Sequence, residues 1–180
     1  VSAQAGLKFE RGRTTDALGT VNYSLVGLPL SATYDSTDNL LDPTKGVRLI
    51  ASVTPYHSLS QRLGFVESRA AVSVYYSLDA DSRYILAGRL ALGSIAGAGI
   101  GDIPANHRFY SGGSGSVRGY RNRSLGPLTS GGLLYGGRSL FEASVEARIR
   151  ITETFGIVPF VDAGGAFASA YPNFSERVRY

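Results

Sequence analysis

Residues 141–150 read Phe-Glu-Ala-Ser-Val-Glu-Ala-Arg-Ile-Arg, an unbroken alternation of apolar and polar side chains. Successive side chains of an extended strand point to opposite sides. Phe141, Ala143, Val145, Ala147 and Ile149 therefore share one face, and Glu142, Ser144, Glu146, Arg148 and Arg150 share the other. A period of two over ten residues is a strand signal, and this strand has one wholly apolar face and one charged face.

The same rule holds upstream. Leu28, Leu30, Ala32 and Tyr34 oppose Pro29, Ser31, Thr33 and Asp35. Val47, Leu49, Ala51 and Val53 share a face, as do Ala70, Val72, Val74, Tyr76 and Leu78, and then Tyr84, Leu86, Gly88, Leu90 and Leu92. Downstream, Phe160, Asp162 and Gly164 lie opposite Val161 and Ala163. About seven strands follow, at 2–11, 17–35, 46–57, 64–78, 83–95, 138–150 and 156–168, with a stub of an eighth in 174–180. Several reach the roughly 9–11 tilted residues that cross a bilayer. Compact turns at 36–45, 79–82 and 151–155 contrast with a loop of about forty residues at 96–137. Short turns on one rim and long loops on the other describe an outer-membrane barrel. A soluble β-sandwich or lipocalin-like barrel also fits the alternation.

Composition supports strands over helices. The 180 residues include 23 Gly and 11 Tyr, with no Trp, and only 18% are charged, a mix suited to strands and turns. No apolar run approaches a transmembrane helix, a test to which membrane strands are blind. The net charge of +4 contains no basic block that would suit a nucleic-acid tail. Without cysteine there is no disulfide or thiolate metal site. With no methionine either, the chain is expected to be a processed or excised piece.

Loops longer than about 12–15 residues are usually functional. This one contains Ser111-Gly112-Gly113-Ser114-Gly115-Ser116-Val117-Arg118-Gly119-Tyr120, a glycine-rich run carrying one arginine. It lacks the Gly-Lys-Ser/Thr ending and following helix of a phosphate loop. His57 and His107 have no metal-ligand spacing and read as loop residues near strand ends. Gly113-Ser114-Gly115 lacks the setting of a nucleophile elbow, and Glu142 and Glu146 are not placed as a glycosidase pair. An enzyme is not expected, nor any cofactor. Tyr34, Tyr56, Tyr75, Tyr76 and Tyr84 fall near strand ends, compatible with interfacial girdles or with core positions.

Three motifs in this order resemble the outer-membrane assembly and translocation superfamily of BamA, TamA and the two-partner secretion transporters. Val117-Arg118-Gly119-Tyr120, preceded by Arg108-Phe109-Tyr110-Ser111-Gly112-Gly113, resembles its loop signature. Residues 137–146 resemble the strand that follows, with its lumenal glutamate, and Phe160-Val161-Asp162-Ala163-Gly164 resembles its Phe-x-Asp-x-Gly strand. The turn Asp42-Pro43-Thr44-Lys45-Gly46 is similar to one on the family's periplasmic rim. The phrase from Gly112 to Pro127 is most similar to the TamA branch, the translocation and assembly module.

The resemblance implies an all-β antiparallel transmembrane barrel of about 16 strands. This chain would supply about seven or eight of them, roughly the seventh to thirteenth, without the POTRA domains or the seam between first and last strands. It implies residence in the bacterial outer membrane, with the bilayer as one partner. Unfolded outer-membrane proteins or autotransporters would be the parent's substrates, an inner-membrane protein or lipoprotein a further partner, and nucleic acid none. It also implies that the loop folds inward and that Arg118 meets Asp162, with Glu146 as second acceptor. Parity agrees, since Glu146 and Asp162 both lie on polar faces. By residue type and parity alone, a solvated arginine and two unrelated lumenal carboxylates remain the other reading. Gly119 is expected to let the backbone turn beside the wall, and Tyr120 to pack as an amphipathic anchor. A passive pore or ligand-binding barrel constricted by the loop is the other functional class.

Overall fold

The computed structural model describes residues 1–60 and 63–175. Its strands are β1 (Ser2–Ala5), β2 (Lys8–Asp16), β3 (Gly19–Gly27), β4 (Leu30–Asp35), β5 (Gly46–Ser58), β6 (Gly64–Ser77), β7 (Tyr84–Ala96), β8 (Ser139–Arg150), β9 (Gly156–Ile157) and β10 (Phe160–Phe167). All lie in one antiparallel sheet. β2 pairs β3 and β1 pairs β4, so these four make one long interrupted hairpin packed along β5. The first and last strands of the sheet are not paired with each other.

Seven strand paths therefore stand where seven are expected, but three are broken. Residues 17–35 split at Leu28-Pro29, and 156–168 at Val158-Pro159. Proline has no N–H to give to a ladder. Between the pairs Gly27–Tyr56 and Leu30–Val53, Pro29 and Pro55 both fall in the gap, and the chain is held there by Leu28 N–H on the Pro55 carbonyl at 3.1 Å. Opposite this gap, Gly6 N–H reaches the Pro29 carbonyl at 3.0 Å, which parts β1 from β2 and lets the second piece run on to Asp16, beyond the expected end at 11. Residues 174–175 form a turn, and the rest of the expected eighth strand lies outside the described residues.

The register aligns the apolar residues into a continuous band. Tyr34–Leu49–Val72–Leu90–Ala143–Ala163 and Val47–Val74–Gly88–Val145–Val161 are successive cross-strand neighbours. Leu49, Val74, Leu86, Leu90, Val145 and Val161 are exposed, whereas Arg108, His107, Glu142 and Asp162 are buried. A water-soluble domain does the reverse. An outward apolar band with a polar interior is the arrangement of a membrane barrel wall. Among the described residues no helix is long and apolar enough to cross a membrane.

Tyr34, Tyr76 and Tyr84 are exposed at the lower edge of this band, as interfacial tyrosines are. Tyr56 and Tyr75 belong to the other face: Tyr56 is buried against Phe65, and Tyr75 lies beneath Arg148. Parity thus divides the five tyrosines between girdle and interior.

The turn at 36–45 is closed by Asp38, which accepts the Thr44 hydroxyl at 2.6 Å and the N–H groups of Thr44 and Lys45 at 2.9 and 3.1 Å. These bonds, the hydroxyl's foremost, hold the Asp38 carboxyl well below the usual carboxylate range. Because the folded value is depressed, the contribution is complete above the unfolded value near ~4 and is lost only as pH falls through the lower folded one. The amide shifts of Thr44 and Lys45 should stay constant down to about pH 4 and move only in stronger acid. A midpoint at the ordinary carboxylate value would contradict this geometry.

Candidate functional site

The segment from Gly97 to Arg138 does not extend away from the sheet but returns across its polar face. One 3-10 turn, Ile100–Asp102, is its only helical piece. Short bridges Phe109–Gly137, Ser111–Leu125 and Leu128–Leu134 fold it on itself. It is fastened to the wall at three heights.

The innermost fastening is Arg118. Its Nε donates to Asp162 Oδ2 at 2.7 Å and its Nη2 to Asp162 Oδ1 at 2.8 Å, a two-pronged pair. The Arg118 backbone N–H adds a third bond to Oδ2 at 2.9 Å. Nη1 donates to Glu146 Oε2 at 3.0 Å, and Nη2 also reaches Ser144 Oγ at 2.9 Å. Ser144 in turn donates to Asp162 at 2.6 Å. The guanidinium carbon stands 3.6 Å from the Phe160 ring centroid. Such a planar fork can satisfy two carboxylates and an aromatic face at once, which a lysine cannot. Hydrogen bonding to Asp162 outweighs desolvation and, with Glu146, holds the Arg118 guanidinium above its usual range.

The residues are positioned by pairing. Asp162 is directly across from Ser144, and Phe160 from Glu146, so all four face the loop. Gly164 is across from Glu142. A Cβ at Gly164 would stand 2.7 Å from the Phe141 carbonyl oxygen, so the strand needs glycine there for close approach. Gly119 has open space around it, and its requirement is instead its φ of +86°. Val117 is buried and Tyr120 half-buried.

From Glu146 the contacts continue downward. Arg148 Nε donates to Glu146 Oε1 at 2.8 Å, and its Nη1 reaches the Pro43 carbonyl at 3.4 Å and Asp42 Oδ1 at 3.5 Å. The loop arginine is thereby linked through two side chains to the turn at 42–46.

Two further fastenings were not visible in the sequence. Ser111 donates to Glu142 Oε1 at 2.9 Å, Ser116 makes a short bond to the same oxygen, and Arg89 approaches the other oxygen at 3.3 Å. Higher still, His107 Nε2 lies 2.7 Å from Glu10 and Nδ1 3.3 Å from Glu67, its ring enclosed by Tyr23, Tyr56 and Phe65. Arg108, fully buried, pairs with Asp16 and donates to the carbonyls of Ile103 and Tyr135 at 2.9 Å each. His107 is thus a loop residue, as the sequence suggested, but a buried docking one. The inward parity of Glu10, Glu67 and Glu142 was the available signal. His57 remains at a strand end, exposed. No cluster among the described residues has metal-ligand geometry.

An outward apolar band, a polar inner face and a loop secured to that inner face define a membrane-spanning β-barrel wall with an occupied lumen. The chain belongs to the Omp85 superfamily, whose domain matches residues 3–179. Its place is the bacterial outer membrane. It is 31% identical over 144 residues to the outer membrane protein assembly factor BamA of Nitratidesulfovibrio vulgaris, covering 73% of this chain and 17% of that protein. The crystal structure of BamA from Haemophilus ducreyi lacking POTRA domains 1-3 matches with a TM-score of 0.66 at 21% identity, over 82% of this chain and 31% of that one. The chain therefore spans less than a third of the length of either relative. Both are BamA proteins, and the likeness to TamA read from the loop phrase has no counterpart in them.

Proposed function

We propose that this chain is part of an outer-membrane barrel that inserts or translocates other outer-membrane proteins, with Arg118 locking the long loop to Asp162 and Glu146. Residues 1–180 are then about seven strands of the full barrel, with the loop at 96–137 reaching into its lumen. The substrates are unfolded outer-membrane proteins or autotransporters, and an inner-membrane protein or lipoprotein assists. No step in this role is catalytic.

The observation that carries the reading is the convergence of five Arg118 hydrogen bonds on one patch of wall, supported by ring contact with Phe160. A buried ion pair is weak as a source of net stability, because desolvation offsets the attraction. It is strong as a selector of one arrangement, since a misplaced loop leaves Arg118 and Asp162 unpaired and Glu146 with Arg148 alone. Fixing the loop keeps the lumen closed and shaped while the wall deforms around a substrate.

The test is a charge exchange in the full-length protein. Arg118→Asp alone should abolish support of substrate-barrel assembly, and Arg118→Asp with Asp162→Arg should restore part of it. If the single variant assembles substrates normally and changes only ion conductance, the barrel is a pore and the assembly role is wrong.

A further inference from the structure

The outward side of β2 carries two charges, which a lipid-facing wall tolerates only near its interfaces. Phe9, Arg11, Arg13 and Thr15 are exposed on that side, while Glu10 and Asp16 point inward to His107 and Arg108. Arg11 lies across from Ser24, Arg13 from Asn22, and Phe9 from Val26. Below Val26 the same side continues through Leu28, Leu30 and Ala32 to the girdle residue Tyr34. Ser24 stands ten residues from Tyr34 along this path, and about 9–11 tilted residues cross the hydrocarbon. Arg11 and Arg13 therefore sit at the opposite interface from the tyrosines. The long loop opens from that rim, so it is the extracellular one.

Among the described residues neither arginine has an ion pair. They line a cleft of about 670 Å³ with Asn22, Ser24, Leu59 and Ser60, none of them acidic. Two unpaired guanidiniums above an apolar surface match a headgroup that brings negative charge and several acceptor oxygens. We propose that Arg11 and Arg13 hold the phosphate of an outer-leaflet lipid, with its acyl chains along Phe9, Val26 and Leu28. The site depends on the membrane orientation of the sheet and not on the role of Arg118.

The intact protein in detergent micelles, titrated with bisphosphorylated lipid A and read by native mass spectrometry, tests this. Each basic residue near an anionic surface is worth a factor of about five, so Arg11→Ser with Arg13→Ser should weaken retention roughly thirty-fold. Arg11→Lys with Arg13→Lys should keep most of it, and a heat-dependent gel shift verifies that each variant is folded. Dephosphorylated lipid should bind as weakly as the serine variant does. Equal retention by the serine variant, or by the dephosphorylated lipid, overturns the proposal. So does displacement of the lipid by millimolar inorganic phosphate, which would make this a free-anion site.

Discussion

Arg118→Ala should leave the barrel folded and heat-resistant while assembly activity collapses. Truncation removes the only ion-pair partner of Asp162 among the described residues, which keeps just the Ser144 hydroxyl, and leaves Glu146 with Arg148 alone. Breaking a buried pair costs about 3–5 kcal/mol. The Arg118 side chain is 25% exposed, so screening reduces this to roughly 2–3 kcal/mol. That cost falls on loop docking and not on strand pairing, because β8 and β10 keep their backbone ladder without Arg118. It shifts the docked population by about 30- to 150-fold. Arg118→Lys keeps the charge but loses the two-pronged geometry, and should fall between the two. Unchanged loop protection from protease in the alanine variant would mean that the other two fastenings suffice.

Phe109→Ala should release the upper half of the loop. Phe109 is 2% exposed, and the Arg69 guanidinium carbon stands 4.6 Å from its ring centroid. It lies on Gly93, where a Cβ would come within 2.5 Å of two ring atoms. Removing a buried phenylalanine costs about 3–5 kcal/mol. Here the loss should appear as protease cleavage near His107, whose neighbours Phe65 and Tyr56 belong to the same cluster. Gly93→Ala attacks the contact from the other side by lifting the ring out. The two changes share one contact, so the double variant should be little worse than Phe109→Ala alone. Additive effects would show that Gly93 serves something other than the ring.

The alternation of residues 141–150 and its repeats were enough to place seven strand paths and, for all but the first, the two faces of the strand. Prolines decided what alternation could not: side-chain patterning is blind to a missing N–H, so the breaks at Pro29 and Pro159 went unread. Arg118 with Asp162 and Glu146 was legible because a family motif added to parity. His107 with Glu10 was not. The two are 97 residues apart in sequence, and only the path of the loop brings a lone histidine to a strand that pairs nowhere near it. Ser111 and Ser116 on Glu142 escaped for the same reason, serine being too common in glycine-rich loops to stand out. Of the five tyrosines near strand ends, parity could have separated Tyr75 from Tyr76, and the structure does.

The most direct measurement is thiol cross-linking in native outer membranes. Residues 1–180 contain no cysteine, so Ser116→Cys with Glu142→Cys introduces the one thiol pair among them and leaves Arg118 and Asp162 intact. Ser116 bonds directly to Glu142, so a short bifunctional thiol reagent should join the two positions in nearly every molecule before any substrate is supplied. Full labelling of both thiols without a cross-link would place the loop outside the barrel and contradict the latch.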